Sequence, residues 1–92
     1  MQLQTSSEQR FGVSEHSELV GEVRTLLVDK LFIRVPSVHA DLFDEGLLDS
    51  MGLIELVAQL EKRFSVKLPI GELGVDPFSS VLTIAQVVAD RR

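Results

Sequence analysis

Few residues in this 92-residue chain have the types and spacing that chemistry requires. The only histidines are His16 and His39, and neither has a second metal-ligating side chain one helical turn away. Since a metal site is built from several such ligands, we interpret both as surface or loop histidines. The chain contains no cysteine, which excludes disulfides, thiolate metal sites and cysteine nucleophiles.

Ser50 is the serine whose surroundings come nearest to a catalytic motif. Residues 48–52 read LDSMG and match only half of the nucleophile elbow G-x-S-x-G, because the first glycine is missing and no strand is predicted before it. A triad would need His39 and Asp41, on a chain too short to enclose a substrate pocket easily. Phosphate-binding loops of the GK[ST] or GxGxxG type are also absent. We therefore expect that this chain is not an enzyme.

The elements that position Ser50 are predicted to be helices. Apolar residues recur at three- and four-residue spacing in two segments, which predicts one helix over about residues 15–33 and a second over about residues 50–64. Asp49 is a good N-cap for the second, and the Asp49–Ser50 pair by itself indicates only that a helix begins there. The buried stripe of the second helix is expected to contain Leu53, Ile54, Val57, Leu60 and Phe64, with Leu56 at its margin.

Two shorter helices are predicted near the end of the sequence. The Asp-Pro pair at positions 76 and 77 resembles an N-cap followed by proline, which predicts a short helix over residues 77–81. Thr83 and Gln86 have the spacing of a capping box and predict a last helix that ends near Asp90. Because no segment alternates as a strand does, the predicted fold is an all-α bundle with a long first loop.

The chain is predicted to form one domain with an N-terminal extension. Residues 1–13 are polar without a sustained period, so we expect a flexible tail there and a single domain over residues 14–92. The loop over residues 34–48 contains several apolar side chains and is expected to cover one end of the helical core. No apolar run is long enough to cross a membrane, and the polar N-terminus does not resemble a secretory signal, so we expect a cytoplasmic protein.

Acidic residues are concentrated in the middle of the sequence. The net charge is −5, and residues 41–61 contain six acids and no lysine or arginine. This stretch is either a solvated face or a docking surface for basic partners, and the pattern alone leaves both possible. The negative charge argues against nucleic-acid binding, which needs a basic face.

The central part of the chain resembles the modification site and second helix of acyl carrier proteins. Residues 41–52 read DLFDEGLLDSMG and residues 53–64 read LIELVAQLEKRF. The Asp-Ser-Met step, a glutamate five residues after the serine and the Leu-Glu-x-x-Phe ending occur together, and the resemblance covers about residues 18–90. The GLLDS and SMG segments are more similar to D-alanyl carriers and to stand-alone specialised acyl or aminoacyl carriers than to carriers of fatty-acid synthesis. The resemblance implies an acyl-carrier-like four-helix bundle with a short third helix.

The resemblance also implies a cofactor, a site and partners. In that family a phosphopantetheinyl transferase moves 4′-phosphopantetheine from coenzyme A onto the serine that maps to Ser50. An adenylating ligase then loads an acyl or aminoacyl group as a thioester, and downstream enzymes use it, so the monomeric carrier needs no catalytic residue. Asp49, Met51 and Glu55 are expected to contact partners, with core packing the alternative for Met51. A helical protein-interaction module that is not modified is the rival interpretation.

Overall fold

The computed structural model describes the backbone of residues 2–92 and the side chains from Ser17 onward. Its elements are helices α1 (Gln2–Leu31), α2 (Ser50–Phe64) and α3 (Ile70–Leu73), a 3₁₀ turn (Asp76–Phe78) and helix α4 (Val81–Arg91). No strand occurs in this part of the chain. The predicted all-α, four-helix fold with a long first loop and a short third helix is therefore confirmed.

The first helix begins earlier than the sequence pattern predicts. α1 starts at Gln2 rather than near Glu15, and no proline interrupts the chain between these two positions. The side chain of His16 lies outside the described part of the structure. The predicted boundary between a tail (1–13) and a domain (14–92) also falls among residues whose side chains are not described. That division stays a prediction.

The end of α1 is set by a residue in the left-handed conformation. Phe32 has φ 60°, so the helix stops at Leu31, two residues before the predicted end. The Phe32 N–H donates to the Val28 carbonyl at 3.1 Å, and the Ile33 N–H donates to the Leu27 carbonyl at 2.9 Å. The first of these is the 5→1 bond of an αL helix end, where glycine is the usual left-handed residue.

The buried face of α2 differs at three positions from the predicted stripe. Ile54 is 62% exposed and Phe64 is only half-buried, whereas Leu56, predicted to be marginal, is completely buried. The error at Ile54 has a geometric reason. Each residue of a helix is rotated by about 100° from the one before, and this rotation turns Ile54 away from the face on which Leu53 is buried. The buried residues of α2 are Leu53, Leu56, Val57 and Leu60.

The last two predicted helices are displaced along the sequence. At Pro77 the chain forms a 3₁₀ turn, so the predicted helix over residues 77–81 is wrong, and the short third helix is α3. α4 begins at Val81 because this buried side chain continues the inward face of the helix by one more turn. Its cap is Ser80, whose Oγ accepts the Thr83 N–H at 3.2 Å while its own N–H donates to Thr83 Oγ1 at 3.1 Å. The capping box therefore lies three residues before the predicted one.

The first loop packs on the core, as predicted. Leu42 is fully buried and Leu48 is 5% exposed. The Leu42 N–H donates to the Ser79 carbonyl at 2.6 Å, and the Leu42 carbonyl accepts the N–H groups of Leu47 and Leu48 at 2.9 and 3.1 Å. These bonds tie the loop to the turn before α4 and bring the chain to the start of α2.

Candidate functional site

Ser50 is the first residue of α2, and its side chain is exposed. Asp49 before it has extended backbone angles and acts as the N-cap, as predicted. Asp49 Oδ1 accepts the Gly52 N–H at 2.8 Å, and the Asp49 carbonyl accepts the Leu53 N–H at 2.8 Å. The serine hydroxyl is thus presented to solvent at a well-defined helix N-terminus.

Gly52 allows this cap to form tightly. A Cβ atom at Gly52 would lie 3.0 Å from Leu48 Cδ1 and 3.2 Å from Asp49 Oδ1. Leu48 is buried and Asp49 is held by its hydrogen bond, so neither neighbour can move away without loss. Glycine at this position lets the buried loop residue and the capping carboxylate approach the first turn of α2 together.

Asp41 organises the loop that leads to the site. Its Oδ1 atom accepts the N–H groups of Phe43 and Asp44, both at 2.9 Å. Gly46 then takes φ 74°, where residues with a side chain are strained. The sequence interpretation considered Asp41 as a possible triad partner and as one of the six acids over residues 41–61, but not as a residue that shapes the loop. Aspartate commonly stabilises a turn in this way, by accepting backbone N–H groups two and three residues further on, so its type and loop position are a recognisable signal.

Apolar side chains are exposed close to Ser50. Met51 is 77% exposed and Ile54 is 62% exposed. Exposure of Met51 excludes the alternative that it packs in the core, and the exposed Ile54 places a second apolar side chain one turn further along α2. The start of α2 therefore combines an exposed hydroxyl with an exposed apolar surface.

Glu55, which directly follows Ile54 on α2, is also exposed. Its Oε2 atom accepts a hydrogen bond from Gln59 Nε2 at 2.9 Å. The ion pair found among the described side chains joins Arg63 to Glu22 and does not involve Glu55. The prediction that Glu55 is not an internal salt-bridge residue agrees with this geometry, while its contact with a partner stays a prediction.

A groove separates the end of α1 from the start of α2. It has a volume of about 330 Å³ and is open to solvent. Charged side chains on its walls are Lys30, Asp49 and Glu55. Its other walls are formed by Leu31, Phe32, Ile33, Gly46, Leu47 and Gly52.

The described residues do not assemble a catalytic or metal centre around Ser50. No hydrogen bond within this part of the chain joins the Ser50 hydroxyl to His39 or Asp41; the Asp41 carboxylate is instead bonded to loop N–H groups. No cluster of three potential metal ligands occurs among the residues from Ser17 onward. Within the described chain, no helix is both long enough and apolar enough to cross a membrane.

The start of α2 is suited to hold a phosphate ester. Asp49 accepts the N–H groups of Gly52 and Leu53. The N–H groups of Ser50 and Met51 come before these in the chain and have no acceptor within the helix. Free N–H groups and the positive end of the helix dipole stabilise an anion at this position. The residues present therefore fit a phosphodiester formed on the Ser50 hydroxyl.

Comparison with known proteins finds similarity over most of the chain. A family model described as "Phosphopantetheine attachment site" matches residues 21–88. A D-alanyl carrier protein of Streptococcus pyogenes serotype M5 (strain Manfredo) is 44% identical over 66 residues, which cover 70% of this chain and 84% of the relative. A D-alanyl carrier protein of Streptococcus gordonii is 40% identical over 68 residues, which cover 72% of this chain and 86% of the relative.

Proposed function

We propose that this chain, which belongs to the phosphopantetheine attachment site family, bears its 4′-phosphopantetheine arm on Ser50 and presents an aminoacyl group from that arm. The chain is a carrier protein, and proteins of this kind are not themselves catalysts. The observation that supports Ser50 is its exposed position as the first residue of α2, beside the capping Asp49.

Attachment uses the Ser50 hydroxyl as the nucleophile. Its Oγ forms a bond to the phosphorus next to the pantetheine half of coenzyme A, and the pyrophosphate P–O bond to that phosphorus breaks. Adenosine 3′,5′-bisphosphate leaves, and the serine proton passes to a base on the transferase. This chain supplies an accessible oxygen and N–H groups that stabilise the new phosphodiester. The attached arm supplies a terminal thiol, which holds a carboxylic acid as a thioester.

An amino acid is the cargo that the site and the relatives favour together. The groove beside Ser50 is open and lined partly by Lys30, Asp49 and Glu55, so it offers little enclosed apolar space to a long acyl chain. The similar streptococcal proteins are named D-alanyl carriers. We therefore propose D-alanine, or another small amino acid, as the group carried.

The proposed partners are the enzymes that act on the arm. They are a phosphopantetheinyl transferase, an adenylating ligase that activates the amino acid with ATP, and a downstream enzyme that accepts it. The six acids over residues 41–61 suit basic surfaces on these enzymes. We propose that the monomeric chain meets the first two in the cytoplasm, where coenzyme A and ATP are available.

Intact mass spectrometry tests the attachment site. The purified chain is incubated with coenzyme A, Mg²⁺ and a promiscuous phosphopantetheinyl transferase. We expect the wild-type chain to gain the mass of one phosphopantetheine group and Ser50→Ala to gain none. Ser37→Ala, which removes another exposed hydroxyl, is the matched control and is expected to be modified at the wild-type rate.

Two outcomes would contradict the proposal. Modification that persists in Ser50→Ala, with an unchanged circular dichroism spectrum, would assign the arm to another serine. Failure of every transferase to modify the wild-type chain would favour the unmodified interaction module instead. The cargo is tested on the modified chain with a ligase that adenylates D-alanine, where covalent D-alanine that is released by hydroxylamine indicates a thioester.

A further inference from the structure

Phe32 is unfavourable for folding in two independent respects. Its φ of 60° lies in the left-handed region, where a residue with a Cβ atom is strained and glycine is usual at a helix end. Its side chain is 86% exposed, the largest exposed fraction among the big apolar residues that the structure describes. Neither the core nor the helix end requires an aromatic ring at this position, which indicates a requirement outside the folded domain itself.

The position of Phe32 relates it to Ser50. Phe32 lies on the α1 side of the groove, and Asp49, Gly52 and Glu55 line the α2 side of the same groove. Met51 and Ile54 are also exposed on α2, but they do not line this groove. An exposed aromatic residue therefore lies across a groove from Asp49, which directly precedes Ser50, and from Gly52 in the first turn of α2.

The charge around this surface limits what can cover it. Asp49 and Glu55 line the groove, Asp44 and Glu45 are exposed on the preceding loop, and Lys30 is the one base on the groove walls. A second copy of the chain packed groove to groove would bring these acids close to one another, which is unfavourable. A surface with an apolar pocket surrounded by lysine and arginine is complementary to it.

We propose that Phe32 is an apolar anchor for the adenylating ligase, and that its ring enters a pocket of that enzyme while basic residues around the pocket meet the acids beside Ser50. This inference rests on the proposed function and adds a contact on α1 to those expected on α2. Aromatic residues that are buried on binding commonly contribute most of the affinity of an interface, whereas exposed acids around them mainly affect the rate of association.

Phe32→Gly separates docking from folding. Glycine adopts the left-handed conformation without strain, so we expect the melting temperature of this variant to be equal to or higher than that of the wild type. Each variant is first converted completely to the modified form by the transferase, and loading by the ligase is then measured. We expect KM for the carrier to rise about tenfold or more with kcat little changed, which is the signature of lost binding.

Ser65→Gly is the matched control. Among the described residues, Ser65 is the other non-glycine residue with positive φ, at 56°, and it lies at the opposite end of α2 from Ser50. Ser65→Gly removes the same kind of backbone strain as Phe32→Gly but leaves the groove unchanged, and we expect normal loading. Phe32→Asn, a polar residue that tolerates the left-handed region, is expected to load as poorly as Phe32→Gly.

The outcomes distinguish this inference from the proposed function. Normal loading of Phe32→Gly and Phe32→Asn would overturn the anchor while leaving the carrier role intact. An equal loss in Ser65→Gly would assign the effect to the backbone and also overturn it. A wild-type dimer in sedimentation velocity that dissociates in Phe32→Gly would assign the ring to a second copy of the chain. Failure of the wild-type chain to be modified at all would refute the proposed function instead.

Discussion

Truncating Leu56 and Ile54 to alanine, one at a time, tests which face of α2 is buried. Leu56 is completely buried, whereas Ile54 is 62% exposed. Leu→Ala in a closely packed core loses transfer free energy and leaves a cavity, so Leu56→Ala should lower the free energy of unfolding by about 3–4 kcal/mol. Ile54→Ala removes a side chain that already contacts water and introduces a better helix former. Its effect should stay within about 0.5 kcal/mol of zero.

Urea denaturation followed by far-UV circular dichroism measures both changes. A domain of this size has a total stability of about 5–15 kcal/mol, so the loss in Leu56→Ala is large compared with the whole. If that variant does not fold, Leu56→Met should fold and lose less than about 1.5 kcal/mol, because it conserves volume. Equal losses in the two alanine variants, or a larger loss in Ile54→Ala, would refute the assignment of the α2 faces.

Three further substitutions test contacts of Asp49 and of two residues along α2. Asp49→Ala should lower stability by about 1 kcal/mol through loss of the α2 cap, measured by urea denaturation, with Asp49→Asn as the conservative control. Glu55→Lys should slow ligase loading several-fold in low salt with little change in stability, and the difference from the wild type should disappear in high salt. A loading difference that salt does not affect would contradict an electrostatic role for Glu55. Glu61→Ala should cost about 1–3 kcal/mol because Glu61 Oε2 accepts the N–H of buried Leu68 at 2.8 Å, whereas Glu61→Gln keeps an acceptor and should cost less.

The helix that carries the site was the part of the fold most accessible to sequence reasoning. α2 begins at Ser50 and ends at Phe64, as predicted, because a single strong capping residue precedes a regularly spaced apolar pattern. The burial of Leu42 was also predictable, since apolar side chains in a long loop must pack on something. These two local features suffice to present the serine hydroxyl at a helix N-terminus.

Other features depend on contacts that spacing does not reveal. Ser80 and Thr83 are both good caps, and only the burial of Val81 on the α4 face decides between them. Nothing in the sequence marks Phe32 as left-handed, because an apolar residue after Leu31 continues the helical pattern and glycine is the usual signal for a helix end. The exposure of Ile54 is similar, because the spacing of apolar residues leaves open which edge of the α2 stripe faces the core.

The bonds of Leu42 have a consequence for the thermodynamics of docking. Its amide is tied to Ser79 and its carbonyl accepts Leu47 and Leu48, so the chain before Ser50 is ordered before any enzyme arrives. A partner then does not have to immobilise this loop, and the conformational entropy lost on association is smaller than for a mobile peptide with the same residues. We expect the amides of these leucines to be protected together in hydrogen exchange, and a synthetic peptide of residues 41–64 to be a much poorer transferase substrate than the intact domain.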